Sequence, residues 1–210
     1  MMKTGVFMIG LLSAAQYVGA QDNVAEDAGR ATLLTPEALG KTVYEAIAKN
    51  KYLQLRAVSA LSLEAKEMKT IADDIIKAIE TKLKNGGFEN PAIGHTMLKS
   101  IREDLGSPEG LAKQMKELQQ KELKFKKSLA DVRAQVKAAG VDWTKAKYLS
   151  TDASNAKHDE DIPIRTGDLF IHLKAAGKEY RIKLDDCAKT PRWGWMLGPD
   201  ELQLDTVKNK

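Results

Sequence analysis

Residues 168–184 read DLFIHLKAAGKEYRIKL, and this stretch decides the fold class. Leu169, Ile171 and Leu173 alternate with Phe170 and His172; after a gap, Tyr180, Ile182 and Leu184 alternate with Arg181 and Lys183. A period of two marks a strand with one buried face, and Ala175, Ala176 and Gly177 supply the turn between the two runs. The stretch is therefore an antiparallel hairpin. Further on, beyond Asp185, Asp186 and the break at Pro191, Trp193, Trp195 and Leu197 are spaced as a third strand, with Leu202 and Leu204 as a short fourth. Trp193 and Trp195 are two apart, so they are expected to share one face and to lie in the core beneath whatever covers the sheet. Before the hairpin, Trp143, Ala146, Tyr148 and Leu149 predict one more strand.

Everything upstream of that sheet reads as helix. Thr35, Pro36 and Glu37 open the first: a capping hydroxyl, a proline where no N–H is needed, and an acid at the positive end of the dipole. Leu39, Val43, Ala46 and Ile47 then recur at helical spacing as far as Asn50. A second helical stretch follows over 51–61. A third runs over 63–84 with Met68, Ile71, Ile75, Ile76, Ile79 and Leu83 on one side, and Asn85, Gly86 and Gly87 stop it. A shorter one is expected over 92–105. Ser107 and Pro108 begin the longest, 108–139, whose stripe Leu111, Met115, Leu118, Phe125, Leu129, Val132 and Val136 includes one polar member, Glu122. Such a stripe packs on its own domain or serves as a coiled-coil seam for a protein partner or a second copy. Helices first and strands second predict an α+β fold: amino-terminal helices, one of them long, packed on a carboxyl-terminal antiparallel meander of three to four strands. The expected single domain covers 35–210, helical over 35–140 and sheet over 141–205.

The first residues have a different character. Lys3 precedes an apolar run from Gly5 to Leu12, and small residues follow, ending in Val18, Gly19 and Ala20. That is the order of a secretory signal peptide, 1–20, with cleavage before Gln21 and a second possible site at Ser13 and Ala15. The apolar run is about half the roughly 20 residues that a membrane span needs, so no transmembrane segment is expected. Residues 21–34 are small and polar, as a flexible leader would be. The reading is an exported protein, periplasmic or secreted. Cys187 is the only cysteine, which rules out an intramolecular disulfide and leaves a reactive thiol or an intermolecular bridge as its possible uses. Loss of residues 1–20 removes Lys3 and no acid, so the net charge of +4 falls to +3. The densest basic stretch, Lys113, Lys116, Lys121, Lys124, Lys126 and Lys127, contains no Arg and is interrupted by Glu117 and Glu122. It reads as a solvated helix face, and no nucleic acid is expected as a partner.

The opening Thr35, Pro36, Glu37, Ala38, Leu39, with Ala46, Ile47, Lys49 and Asn50, resembles the first helix of small exported proteins of the nuclear-transport-factor-two-like, cystatin-like cone superfamily. The late strand Trp193, Gly194, Trp195, Met196 is similar to that group as well, and 177–187 resembles secreted bacterial proteins of unassigned function. The resemblance implies a pocket between the helices and a curved sheet; some members of the superfamily are enzymes.

No convergent catalytic set stands out in the chain. His158, Asp159, Glu160 and Asp161 are ligand-type residues, but four adjacent side chains cannot all face one ion, so no metal site and no cofactor is expected. Asp185 and Asp186 are paired carboxylates of the kind that share acid and base work when burial separates their pKa values, although aspartates also simply end strands. His172 shares a face with Phe170. The functional expectation is a non-enzymatic exported module for binding or envelope-accessory work. The alternative is a small-molecule-binding or isomerase-like enzyme, its pocket drawn from His172, Tyr180, Asp185, Asp186 and Trp195. Amino-terminal sequencing of the exported protein is expected to begin at Gln21; an intact Met1 on that material contradicts the signal-peptide reading.

Overall fold

The computed structural model describes residues 33–158, 164–190, 192–200 and 202–205. Its helices are α1 (Pro36–Ala48), α2 (Tyr52–Ala57), α3 (Ala65–Lys84), α4 (Pro91–Ile101) and α5 (Pro108–Ala138). A 3₁₀ turn (Ala60–Ser62) precedes α3, and a π turn (Arg102–Gly106) joins α4 to α5. The strands are β1 (Lys147–Asp152), β2 (Lys157–His158), β3 (Arg165–Ala175), β4 (Lys178–Thr190), β5 (Gly194–Met196) and β6 (Leu202–Asp205). This is the expected α+β architecture. The signal-like stretch and most of the leader lie outside the described residues, as do Asp159, Glu160 and Asp161.

Helix starts follow local chemistry. The Thr35 hydroxyl accepts from the Ala38 amide at 3.1 Å, the Asn90 side chain from Ala92 at 3.0 Å, and the Ser107 hydroxyl from Gly110 at 3.0 Å. Proline follows each of these caps, where the helix needs no N–H. At α3 the Glu64 amide donates to the Glu67 carboxylate at 2.8 Å, half of a reciprocal capping box.

The β3–β4 hairpin is the centre of the sheet. Ala176 and Gly177 both have positive φ, the two-residue turn whose twist suits adjoining strands, and Ala176 takes a conformation that a Cβ disfavours. Leu169 lies opposite Leu184, Ile171 opposite Ile182 and Leu173 opposite Tyr180, so the two apolar rows predicted from alternation form one surface. β1 and β2 share the free edge of β3, and β6 and β5 share that of β4, all antiparallel. Leu202 extends the Leu184–Leu169 row and Leu204 the Ile182–Ile171 row.

Helices α1 and α5 cover that surface. Leu39, Val43, Ala46 and Ile47 of α1 and Phe125, Val132 and Val136 of α5 are fully buried against it. α5 is about 46 Å long at 1.5 Å per residue. Its carboxyl-terminal half packs on the sheet and α1, and its first turns pack on the α3–α4 unit. The stripe residues Leu118, Phe125, Leu129, Val132 and Val136 are buried inside the molecule, the packing on its own domain that is one of the two readings of this helix. Glu122, its polar member, accepts from the Tyr52 hydroxyl at 2.9 Å and from Arg56 Nε at 2.8 Å. Arg133 donates to the Ile47 and Ala48 carbonyls, closing the negative end of α1.

Two expectations at the sheet ends need correction. Trp143 is not in a strand: the Asp142 carboxylate accepts from the Thr144 amide at 2.9 Å and its carbonyl from Lys145 and Ala146, so 142–146 is a turn and β1 begins at Lys147. Trp143 lies beside Tyr44, ring centroids 6.1 Å apart. Trp193 and Trp195 do not share a strand face either, because Gly194 between them has φ +68 and breaks the alternation. That backbone turn lets Gly194 pack on the Leu33 carbonyl, where any Cβ would collide. Trp195 is 2% exposed with the Arg165 guanidinium over its ring, while Trp193 is half-buried in the turn. Replacing Trp195 by Ala is expected to cost about 3–5 kcal/mol in chemical denaturation, and Trp193→Ala clearly less. A Trp195→Ala loss below about 1 kcal/mol contradicts its core role.

Candidate functional site

The five residues singled out from the sequence do not converge. Trp195 is in the core, and Tyr180, 8% exposed, points its hydroxyl at the Ala139 carbonyl 3.0 Å away, tying the end of α5 to β4. His172 lies on the outer face of the sheet, paired with Ser150 on β1 and Arg181 on β4. Only Asp185 and Asp186 remain together. The space expected to form a pocket between helices and sheet is filled by Leu39, Ile47, Phe125, Leu169, Ile171 and their neighbours.

The two aspartates lie at a defect in the hairpin. Between the pairs Gly167–Cys187 and Leu169–Leu184, β3 has one residue, Asp168, and β4 has two, Asp185 and Asp186. This is a β-bulge, and it puts Asp186 in the left-handed region with φ +50, which aspartate tolerates better than most residues. Gly198 packs directly on the carbonyls of Asp185 and Asp186, at a separation that leaves no room for a Cβ. Its approach brings Asp200 to the Asp186 carboxyl.

The bulge thus gathers four carboxylates and two lysines. Lys183 Nζ reaches Asp185 at 2.7 Å and Asp168 at 3.0 Å. From α5, Lys121 Nζ meets Asp200 at 2.9 Å. Burial is the main cause pushing Asp186 up to about 6, helped by hydrogen bonding to Asp200 and by the charges of Asp200, Asp185 and Asp168. Asp185 is raised as well, first by burial, with Lys183 opposing. Hydrogen bonding to Asp185 raises Lys183. Since the Lys183 ammonium stands between Asp168 and Asp185, a fixed cation takes the position that a metal ion would need. Among the described residues no group of three or more His, Cys, Asp and Glu side chains is placed to hold a metal.

Directly after the bulge, Cys187 is fully buried, with its thiol 3.7 Å from the Leu184 carbonyl, and burial pushes its pKa up. A reactive thiol or intermolecular bridge is thereby corrected to a buried core side chain. Beside the bulge, the outer face carries Phe170 under the Arg181 guanidinium, 4.3 Å from the ring centroid, and Arg181 Nε donates to Asp205 at 2.9 Å.

Sequence reading found the Asp185–Asp186 pair and missed Asp168, Asp200, Lys121 and Lys183. Lys183 and Asp185 are two apart on one strand, a spacing that puts them on the same face; nothing local points to Asp200 or Lys121, which arrive through tertiary packing. A second feature also escaped it, an open groove of about 740 Å³ between α3 and the β4–β5 turn, lined by Asp74, Lys77, Thr81, Lys82, Asn85 and Arg192 among others. Comparison with protein-family models, with curated protein sequences and with solved structures finds no match to this chain.

The bulge makes a pH-dependent prediction. Because the folded pKa of Asp186 lies above its unfolded value, its share of stability is fully present below about pH 4 and is lost as pH rises through about 6. Its half-buried position tempers the effect to about 1–3 kcal/mol. Urea denaturation of Asp186→Asn against wild type is expected to favour the variant by that much more at about pH 7.5 than at about pH 4. A difference independent of pH contradicts the assignment.

Proposed function

We propose that this is an exported, non-enzymatic module that works by binding, in an envelope-accessory role. The observation that carries the reading is the use to which the nominated pocket residues are put. Trp195 fills the core, Tyr180 anchors α5, and His172 faces away from both. The Trp195 and Tyr180 side chains are used in holding the fold, and a surface groove lies elsewhere, beside α3. Export is supported by the order Lys3, apolar Gly5 to Leu12, small residues to Ala20. No helix among the described residues is long and apolar enough to cross a membrane. Membership in the cone superfamily belongs to the same proposal, supported by α1 lying on an antiparallel sheet with its Glu37 carboxylate on the Thr151 amide of β1 at 2.9 Å.

One observation favours the alternative enzyme. A carboxyl raised to about 6 beside a second carboxyl is the arrangement in which one acid can hold a proton while its neighbour is ionised. A turnover screen of the full chain against ester, glycoside and isomerisable carbonyl substrates separates the two. The binding reading expects no turnover that Asp186→Asn removes. Turnover abolished by that substitution overturns it and makes the bulge an active site.

A further inference from the structure

We propose that Asn85–Gly86, the cap that ends α3, is a modification site where the chain spontaneously loses the Asn85 amide and becomes aspartyl or isoaspartyl, with water the only co-reactant. The inference does not depend on the binding-module reading. Asparagine is open to this reaction where the next residue leaves its own nitrogen unshielded, and glycine, without a Cβ, shields it least. Asn85–Gly86 is the one Asn–Gly pair in the sequence. Both residues are exposed. Chain neighbours aside, no atom of the described residues lies within 4 Å of the point where a Gly86 Cβ would stand.

The other asparagines are held back. Asn90 precedes Pro91, whose nitrogen has no hydrogen to lose. Asn155 precedes Ala156, which is 4% exposed and donates its amide to the Ala153 carbonyl at 2.9 Å. Asn50 precedes Lys51, whose amide donates to the Ala46 carbonyl at 2.8 Å and whose side chain flanks that nitrogen. Asn23 is followed by the β-branched Val24 and Asn209 by Lys210, and both asparagines lie outside the described residues.

In the reaction the Gly86 N–H gives its proton to hydroxide and the nitrogen attacks Asn85 Cγ. The N–Cγ bond forms, the Cγ–Nδ2 bond breaks, and Nδ2 leaves as ammonia after taking a proton from water. Water then opens the five-membered imide at either carbonyl. Opening at Cγ gives aspartate, and opening at the main-chain carbonyl gives isoaspartate, in which the chain runs through the side chain. Nothing is oxidised or reduced. In the closed cap the Gly86 amide donates to the Leu83 carbonyl at 3.1 Å and the Gly87 amide to the Lys82 carbonyl at 2.9 Å, while Asn85 has ψ 5, which holds the Gly86 nitrogen rotated away from its side chain. The reaction therefore goes through opening of the last turn of α3, an exposed helix end being a part of a fold that opens at low cost. Isoaspartate adds a main-chain carbon inside the loop those two bonds close, and either product puts a carboxylate at the negative end of the α3 dipole. Leu83 and Phe88, on the two sides of the cap, both pack on Gly94 of α4, so the product loosens the joint between α3 and α4.

The test is incubation of the folded full chain in mildly alkaline buffer at physiological temperature, then proteolysis and tandem mass spectrometry, with a guanidinium-unfolded sample in parallel. In the folded protein Asn85 is expected to convert before Asn50, Asn90 and Asn155, as a mixture of aspartate and isoaspartate. Its rate is expected to rise in proportion to hydroxide and to stay below that of the unfolded sample. Aged wild type is expected to melt at a lower temperature than fresh protein, with amide NMR shifts confined to 82–94. Asn85→Gln, an exposed change, is expected to melt as fresh wild type does and to keep that melting temperature on ageing. An intact Asn85 in the folded sample while the unfolded sample converts overturns the proposal, because the cap then does not open. Earlier conversion at Asn50 or Asn155 overturns it as well, and so does an equal loss of melting temperature in aged Asn85→Gln.

Discussion

The apolar surface made by Leu169, Ile171 and Leu173 against Leu184, Ile182 and Tyr180 is the constraint from which the rest of the molecule follows. A two-stranded hairpin is not stable alone in water, and with one greasy face it needs both neighbouring strands and a cover. The strands come from β1, β2, β5 and β6, and the cover comes from α1 and from the second half of α5. α1 is placed by three contacts with unlike chemistry: its apolar stripe, the Glu37 carboxylate on the Thr151 amide, and Arg133 on its last carbonyls. The edge of the sheet at β5 is closed as well. β5 is flanked by Leu33, whose carbonyl accepts from the Trp195 amide at 2.7 Å, and Leu197 exchanges hydrogen bonds with Val58 and Ala60. Backbone groups that would otherwise invite a second chain are thus used internally.

The same hairpin creates the electrostatic centre of the protein. If β3 and β4 paired without interruption, Asp168, Asp185 and Asp186 would be spread over the two faces of the sheet. The extra residue in β4 instead turns Asp186 aside into the left-handed region and leaves Asp168 and Asp185 around Lys183. Like charges at such separations are tolerated because lysines are interleaved and one carboxyl holds its proton to about pH 6. Lys121 then ties this cluster to the middle of α5, so the charged bulge and the buried helix stripe are mechanically joined.

What was legible in the sequence is what is periodic. Alternation over 168–184 marked the strands and their core face together, and Thr35 and Ser107 with the prolines after them placed two helix starts. Periodicity misled where a single residue broke it. Gly194 separates the two tryptophans, and Asp142 folds Trp143 into a turn, neither of which an apolar count detects. Glu122 looked like a flaw in a stripe because its partners, Tyr52 and Arg56, come from another helix. Of the candidate site, the sequence held the adjacent pair at 185 and 186. It could not hold Asp200 or Lys121, which are distant in the chain, nor the groove beside α3, whose Arg192 wall depends on where the β4–β5 turn lands.

The central claim is that hairpin and long helix are one cooperative core rather than a sheet with a helical appendage. Native-state hydrogen exchange by NMR measures this directly. The account predicts that amides of Leu169, Ile171, Ile182 and Leu184 exchange as slowly as those of Phe125, Leu129 and Val132, all opening together with global unfolding. Helix amides that exchange with a separate and much lower opening free energy than the hairpin would contradict it.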